Sequence, residues 1–190
     1  MVHYIFVYFV HRSGARSRPD SYRDRLNCIG GHAPRSGNTN MQALNLPSYP
    51  FKIKENGNQI QIFDPFRKKY LVLTPEEWVR QHFLQFLVQD KKYPVSLIGV
   101  EKGLVYNELT KRADILVHDR LGKPHLLVEC KAPAVKITQD AFDQVARYNM
   151  VFKVKYLIVT NGMNHFCCEM DYVNNTYSYL KEIPFFGTSL

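Results

Sequence analysis

The stretch RADILVHDRLGKPHLLVECKAP, residues 112–133, contains two apolar runs on either side of a Gly-Lys-Pro segment. Short runs rich in Val, Ile and Leu that flank a Gly/Pro turn signal predict a β-hairpin. Asp114, Glu129 and Lys131 stand in or beside these runs. A strand covered on both faces rarely carries charge, so these three residues are candidates for a functional site.

The spacing of the three residues predicts a definite arrangement. Side chains alternate across a strand, so Glu129 and Lys131 share one face. A two-residue turn at Leu121 and Gly122 would place Asp114 directly opposite Glu129. Two facing carboxylates destabilise a sheet unless a cation lies between them, so we expect a divalent metal at this position.

The chemistry of such a site points to phosphodiester hydrolysis. Ligation by carboxylate oxygens alone suits Mg²⁺, with Mn²⁺ as a substitute. The metal would lower the pKa of bound water and offset the charge on a phosphate in the transition state. Lys131 could orient or deprotonate the attacking water and stabilise the pentacovalent phosphorus. We therefore expect Asp114, Glu129 and Lys131 to be catalytic.

The segments around the hairpin predict a mixed sheet. Residues 51–73 predict a small N-terminal β-hairpin sheet with an Asn-Gly turn, and the chain then continues as helix, three strands, helix and further strands. Short turns make the three strands antiparallel, whereas the helix after Lys131 is a crossover that implies parallel pairing. We expect an α/β fold, a central mixed β-sheet flanked by helices in the order αβββαβ, with the Glu129 strand in the centre.

The first helix is predicted to begin at Thr74, which is followed by Pro75 and by acidic residues in the first turn. Its apolar face goes to the core. Glu77, Arg80 and Gln81 lie together on the other side by helical spacing. This polar group is either a solvated face or, for Glu77, part of the functional site.

Composition indicates a globular protein with an anionic partner. The 190 residues are 45% hydrophobic, with a net charge of +8 and a pI near 9.3, which favours nucleic acid without deciding it. Four cysteines without CxxC spacing predict free thiols in a reducing cytoplasm. The apolar opening of ten residues is too short for a membrane anchor.

Residues 1–40 differ from the rest of the chain. They hold six Arg, no Lys and two acids, while residues 41–190 hold five Arg, fourteen Lys and fifteen acids. The segment lacks periodicity beyond its first ten residues, so we expect it to be disordered. Two interpretations stay open: translation begins at Met41 and the extension is not native, or the extension is a basic arm that contacts phosphates. Residues 41–190 are the expected domain.

The order of the core and the residues Asp114 and Glu129-x-Lys131 resemble the PD-(D/E)xK nuclease superfamily. The wording RADILVHD, LLVECKAP, FDQVARYN and YLIVTNG resembles the N-terminal endonuclease domain of type I restriction enzyme R subunits. The resemblance covers roughly residues 60–185 and implies Mg²⁺-dependent DNA cleavage, since several motifs occur in the same order. Ala113 stands where the superfamily often has Pro.

The resemblance also implies roles for particular residues. Asp114 and Glu129 would bind the metal together with the backbone carbonyl of Cys130, and Lys131 would be the catalytic lysine. Gln144 and Tyr148 match a Q-x-x-x-Y motif that supports the active site and the DNA backbone. Glu77 matches an acidic residue often found on the first core helix, and Glu101 is a less suitable candidate because a strand end tolerates an exposed Glu.

We therefore expect an Mg²⁺-dependent DNA endonuclease of the R subunit N-terminal type. No GxxxxGK[ST] loop occurs in the sequence, so no motor activity is expected. Expected partners are DNA, other restriction-modification subunits and a second copy of the chain, because two active sites are needed to cut both strands. One alternative is a catalytically silent DNA-binding or assembly module with the same fold, and another is an α/β protein whose acidic pair is structural.

Overall fold

The computed structural model describes residues 41–106, 109–149 and 152–187, and the side chains of residues 102–111, 148 and 149 lie outside this description. The expectation for residues 1–40 falls outside the described residues. Two sheets and two α-helices occupy the described part. The smaller sheet has the order β1-β2-β3, and the larger one has the order β4-β5-β6-β7-β8-β9.

The smaller sheet and the first helix come first along the chain. Their bounds are β1 Ile53–Asn56, β2 Gln59–Asp64, β3 Lys69–Val72 and α1 Pro75–Gln89. Asn56 pairs with Gln59, so Gly57 and Asn58 form the tip of the β1–β2 turn, one residue later than the predicted Asn-Gly tip. Gly57 has a φ of 58°, which favours glycine at the first position of a two-residue hairpin turn. Thr74 caps α1 because its side-chain oxygen accepts a hydrogen bond from the Glu77 N–H at 3.1 Å. The predicted start of the helix is confirmed.

The larger sheet carries the predicted crossover. Its elements are a 3-10 turn at Val95–Leu97, β4 Ile98–Tyr106, β5 Leu109–His118, β6 Pro124–Cys130, α2 Gln139–Asn149, β7 Tyr156–Thr160, β8 His165–Asp171 and β9 Thr176–Tyr179. Strands β6 and β7 pair in parallel across α2, and the other described pairs are antiparallel. The order α1-β4-β5-β6-α2-β7 confirms the expected αβββαβ fold class, and β6 lies inside the sheet.

The two helices cover opposite faces of the larger sheet. On one face, Val79, Phe83 and Leu87 of α1 pack against a cluster that includes Ile115 and Val128. The other face is covered by α2, in a second cluster made of Phe142, Ala146, Leu116, Leu127 and Leu157 among others. Strand β6 contributes to both clusters, which is why its apolar run is nearly continuous.

The β5–β6 turn differs from the prediction. Asp119 N–H donates to the Lys123 carbonyl at 2.8 Å, so three residues, Arg120 to Gly122, form the tip. Gly122 has a φ of 76°, the left-handed conformation that closes a three-residue turn. The predicted two-residue tip is wrong, but a register shift between Val117 and His118 compensates for the extra residue.

Two further expectations concern composition. Cys130, Cys167 and Cys168 are buried free thiols, as predicted for these three. Among the described residues, neither helix has the length and apolar character needed to cross a bilayer.

Candidate active site

The register of the hairpin brings Asp114 and Glu129 to neighbouring positions. Ile115 pairs with Val128, and the next residues outward on the two strands are Asp114 and Glu129. Asp114 Oδ2 accepts a hydrogen bond from the backbone N–H of Cys130 at 2.7 Å. The carboxylate of Asp114 is therefore hydrogen-bonded to the last residue of β6, which directly follows Glu129.

Glu129 and Lys131 are in direct contact, as their alternation along β6 predicts. Lys131 Nζ donates to Glu129 Oε1 at 2.8 Å. Burial lowers the pKa of Lys131, but the hydrogen bond and the charge of Glu129 outweigh this effect, so the pKa is raised above its usual value. Lys131 therefore carries a positive charge at neutral pH in this arrangement.

The pKa of Glu129 is raised. Burial is the largest cause, and the negative charge of Asp114 is the next. The hydrogen bond from Lys131 acts in the opposite direction. Since the charge of Asp114 raises the pKa of Glu129, the two carboxylates repel each other, and a cation between them would relieve that repulsion.

Arg80 of α1 is a second partner of Asp114. Its Nη2 lies 2.8 Å from Asp114 Oδ1 and 3.1 Å from Glu76 Oε1, and its Nη1 pairs with Glu77. Burial opposes the charge of Arg80, but the carboxylates of Asp114 and Glu77 outweigh burial and raise its pKa. Asp114 and Glu129 are thus held by different cations, Arg80 for the former and Lys131 for the latter.

The polar face of α1 is not solvated. Glu77 and Arg80 are each 5% exposed and Gln81 is fully buried. Glu77 accepts hydrogen bonds from Arg80, from Gln81 at 2.8 Å and from Arg67 of the β2–β3 turn at 2.5 Å. Glu77 therefore connects to Asp114 through Arg80 rather than facing it.

Glu76 lies next to Glu77 on α1 and also pairs with Arg80. Its side chain is 46% exposed, and its charge contributes to the raised pKa values of both Glu129 and Lys131. The family resemblance pointed to the neighbouring Glu77, and helical spacing grouped it with Arg80 and Gln81. Glu76 was not among the predicted site residues. An amphipathic pattern alone does not reveal that Glu77 lies between Arg67 and Arg80.

Glu101 extends the charged network on β4. Its carboxylate pairs with Arg112 and, at 2.7 Å, with Arg67. Burial raises the pKa of Glu101, but the positive charges of Arg67 and Arg112 outweigh burial, so the pKa is lowered below its usual value. Glu101 has a φ of 50° and lies between the pairs Val100–Ile115 and Lys102–Ala113, which is opposite Asp114. A strained backbone of this kind is common beside functional residues.

A cavity of about 420 Å³ opens on the α2 side of Glu129 and Lys131. Its polar lining also includes Gln144 of α2, Arg112 and Lys136, while Val135, Ile137, Ala141, Val145 and Val159 supply the apolar lining. The structure thus brings Gln144 to the same cavity as Glu129 and Lys131. Tyr148 lies one turn further along α2, and its side chain falls outside the described residues.

The donor set can be compared with the needs of a hard divalent cation. Such a cation takes carboxylate and carbonyl oxygens and keeps several waters. Asp114 and Glu129 supply carboxylates at adjacent positions, and the Cys130 carbonyl follows directly on β6. Among the described residues, no three His, Cys, Asp or Glu side chains form a metal-binding group. The residues that could hold such a cation are therefore the carboxylates of Asp114 and Glu129 and the carbonyl of Cys130.

Comparison with known proteins gave a similar solved structure and a family profile. A solved fragment assigned to the HsdR subunit of a type I restriction enzyme from Vibrio vulnificus YJ016 is 20% identical to this chain, with a TM-score of 0.42. The likeness covers 60% of this chain and 24% of that chain, so the chain corresponds to about a quarter of that fragment's length. No curated protein sequence matches at a significant level.

A family profile matches a longer part of the chain. The match spans residues 75–184 and is described as the type I restriction enzyme R protein N terminus. It runs from the first residue of α1 to beyond the end of β9, and it contains Asp114, Glu129, Lys131 and Gln144. Because this region is more than half of the 190 residues, the chain belongs to the family of type I restriction enzyme R protein N-terminal regions.

Proposed function

We propose that the chain is an Mg²⁺-dependent DNA endonuclease domain that hydrolyses phosphodiester bonds. The observation that carries this proposal is the contact of Lys131 with Glu129 at 2.8 Å, beside a second carboxylate whose charge raises the pKa of Glu129. Such a pair of carboxylates with an adjacent lysine suits metal-assisted hydrolysis of a phosphate ester. Membership of the R protein family supports DNA as the substrate.

Each residue would have a distinct task. Asp114 and Glu129 would provide carboxylate ligands, with the Cys130 carbonyl as a further ligand. When bound, the metal would lower the pKa of a water molecule and offset negative charge on the phosphate. The raised pKa of Lys131 favours a protonated lysine that orients the water and stabilises the phosphate oxygens. Removal of a proton from the water by Lys131 is correspondingly disfavoured.

The cavity supports a path for the DNA backbone. Arg112, Lys131 and Lys136 surround its rim, and Gln144 adds an amide that can donate to a phosphate oxygen. Among the described residues of the same lining, Glu129 is the one carboxylate. The surplus of positive charge favours the polyanion, and Gln144 and Tyr148 would support the backbone near the scissile bond.

The test is a plasmid-nicking assay with purified protein and supercoiled DNA. We expect nicking with Mg²⁺ or Mn²⁺, none with EDTA, and loss of nicking in Lys131→Ala. Lys123→Ala is the matched control, because Lys123 is an exposed lysine in the β5–β6 turn. Comparable nicking by Lys131→Ala and wild type would remove Lys131 from the mechanism.

A catalytically silent DNA-binding or assembly module is the second candidate. It is favoured by one observation, namely that Asp114 is already paired with Arg80 and Glu129 with Lys131. In such a module the carboxylates would need no metal. DNA binding without metal-dependent nicking would support this candidate, whereas nicking by wild type but not by Lys131→Ala would exclude it.

The assembly of the protein follows from the proposed reaction. One active site cuts one strand, so cleavage of both strands would require a second copy or another subunit of a restriction-modification system. Sedimentation of the protein with and without duplex DNA would detect the second copy. A monomer that linearises DNA at low protein concentration would contradict the need for two sites.

A further inference from the structure

The N-terminal sheet has one face toward the core and one toward solvent. Ile53 and Ile62, which pair across β1 and β2, belong to a core cluster with Leu73 and Trp78. Because side chains alternate along a strand, the residues on either side of Ile53 and of Ile62 point outward. They form two rows, Lys54–Gln61–Val72 and Lys52–Phe63–Tyr70. We call these six residues the outer sheet face.

The outer sheet face combines unpaired cations with aromatic rings. Lys52 and Lys54 are exposed, and neither forms an ion pair within the described part of the chain. Instead, Lys54 Nζ lies 3.9 Å from the centre of the Tyr70 ring and Lys52 Nζ lies 5.7 Å from that of Phe63. Tyr70 is 38% exposed, and the Phe63 and Tyr70 ring centres are 5.2 Å apart.

We propose that the outer sheet face binds single-stranded DNA. Lysines beside aromatic rings on an open sheet suit a single strand, because phosphates pair with the cations while unpaired bases stack on the rings. A duplex keeps its bases stacked on each other and offers the rings no free base. On binding, Lys54 would move from the Tyr70 ring to a phosphate, and a base would take its place. The choice of DNA rests on the proposed function.

The position of this face relates it to the active site. Arg67 lies in the turn between β2 and β3, three residues before Tyr70, and pairs with Glu77 and Glu101. Arg80 pairs with both Glu77 and Asp114. The pair Phe63–Tyr70 adjoins the last pair before the β2–β3 turn, so the row Lys52–Phe63–Tyr70 lies at the end of the sheet where Arg67 begins this network.

The experiment measures binding of the full chain to a labelled oligodeoxythymidylate by fluorescence anisotropy in EDTA. Tyr70→Ala should raise the Kd about tenfold, whereas Tyr70→Phe should stay within about twofold because it keeps the ring. The double variant Lys52→Ala/Lys54→Ala should reduce the slope of log K against log salt by about 1.4, that is about 0.7 for each of two phosphates. Lys123→Ala should leave Kd and slope unchanged.

The outcomes separate this proposal from the nuclease proposal. Thermal unfolding of each variant reports whether it is folded, and EDTA excludes cleavage from the binding assay. The proposal would be overturned if the Tyr70→Ala and double-lysine variants both kept the wild-type Kd and salt slope. It would also be overturned if the wild type bound duplex more tightly than single strands and the variants weakened both kinds of binding equally. If the variants bind weakly as expected but wild type never nicks DNA, the outer sheet face stands and the nuclease proposal fails.

Discussion

Replacement of Arg80 by alanine should strongly destabilise the metal-free protein. Arg80 is 5% exposed and pairs with Asp114, Glu76 and Glu77. Without Arg80, Asp114 keeps its hydrogen bond from the Cys130 N–H, and Glu77 keeps those from Arg67 and Gln81. Both carboxylates lose the positive charge that α1 supplies. Removal of one member of a buried ion pair costs about 3–5 kcal/mol.

The assay is urea unfolding at neutral pH in EDTA, followed by circular dichroism. A loss of about 3–5 kcal/mol corresponds to a fall of roughly 6–20 °C in the thermal midpoint for a chain of this size. Arg80→Lys should recover only part of the loss, since a lysine cannot bridge two carboxylates with a planar fork. Arg147→Ala is the control, because Arg147 is exposed in the last turn of α2 and should change stability by less than about 0.5 kcal/mol.

A double-mutant cycle tests the particular contact with Asp114. Asp114→Asn removes the charge that Arg80 neutralises, so the two substitutions together should cost less than their sum, by at least about 1 kcal/mol. A loss below about 1 kcal/mol for Arg80→Ala, or strictly additive effects, would refute the view that Arg80 neutralises Asp114 in the metal-free protein.

Further predictions concern the metal and pH. Mg²⁺ at about ten times its Kd should stabilise the wild type by about 1.4 kcal/mol, or roughly 3–6 °C, and Asp114→Asn should lose this shift; equal shifts in both proteins would exclude Asp114 as a ligand. Burial lowers the pKa of His82 to about 4, so below about pH 6.5 the unfolded chain takes up a proton that the folded chain does not. Stability should therefore fall by up to about 1.4 kcal/mol per pH unit between about pH 6.5 and 4. His82→Phe should flatten that part of the profile in urea unfolding, and a parallel profile would assign the fall to other groups. Lys131→Ala should abolish nicking without loss of the Mg²⁺ shift, because the lysine is not a metal ligand.

Much of the fold follows from local signals. Thr74 and Pro75 define the start of α1 because capping and a fixed φ act within one turn. The apolar runs and turn residues locate the strands, and alternation along β6 already places Glu129 and Lys131 on one face. The helix between β6 and β7 favours their parallel pairing, since parallel strands need a long crossover whereas antiparallel neighbours are usually joined by a short turn.

Chain-distant contacts decide what the local signals leave open. A helical wheel makes Glu77, Arg80 and Gln81 look solvated, but Arg67 from the β2–β3 turn and Asp114 from β5 close over them. Burial then turns a polar face into an ion network, because charges without water must pair. The burial of Glu77 between Arg67 and Arg80, and the position of Gln144 at the cavity, also depend on how the helices dock on the sheet. Such docking is set by packing over the whole core, so only the tertiary structure determines it.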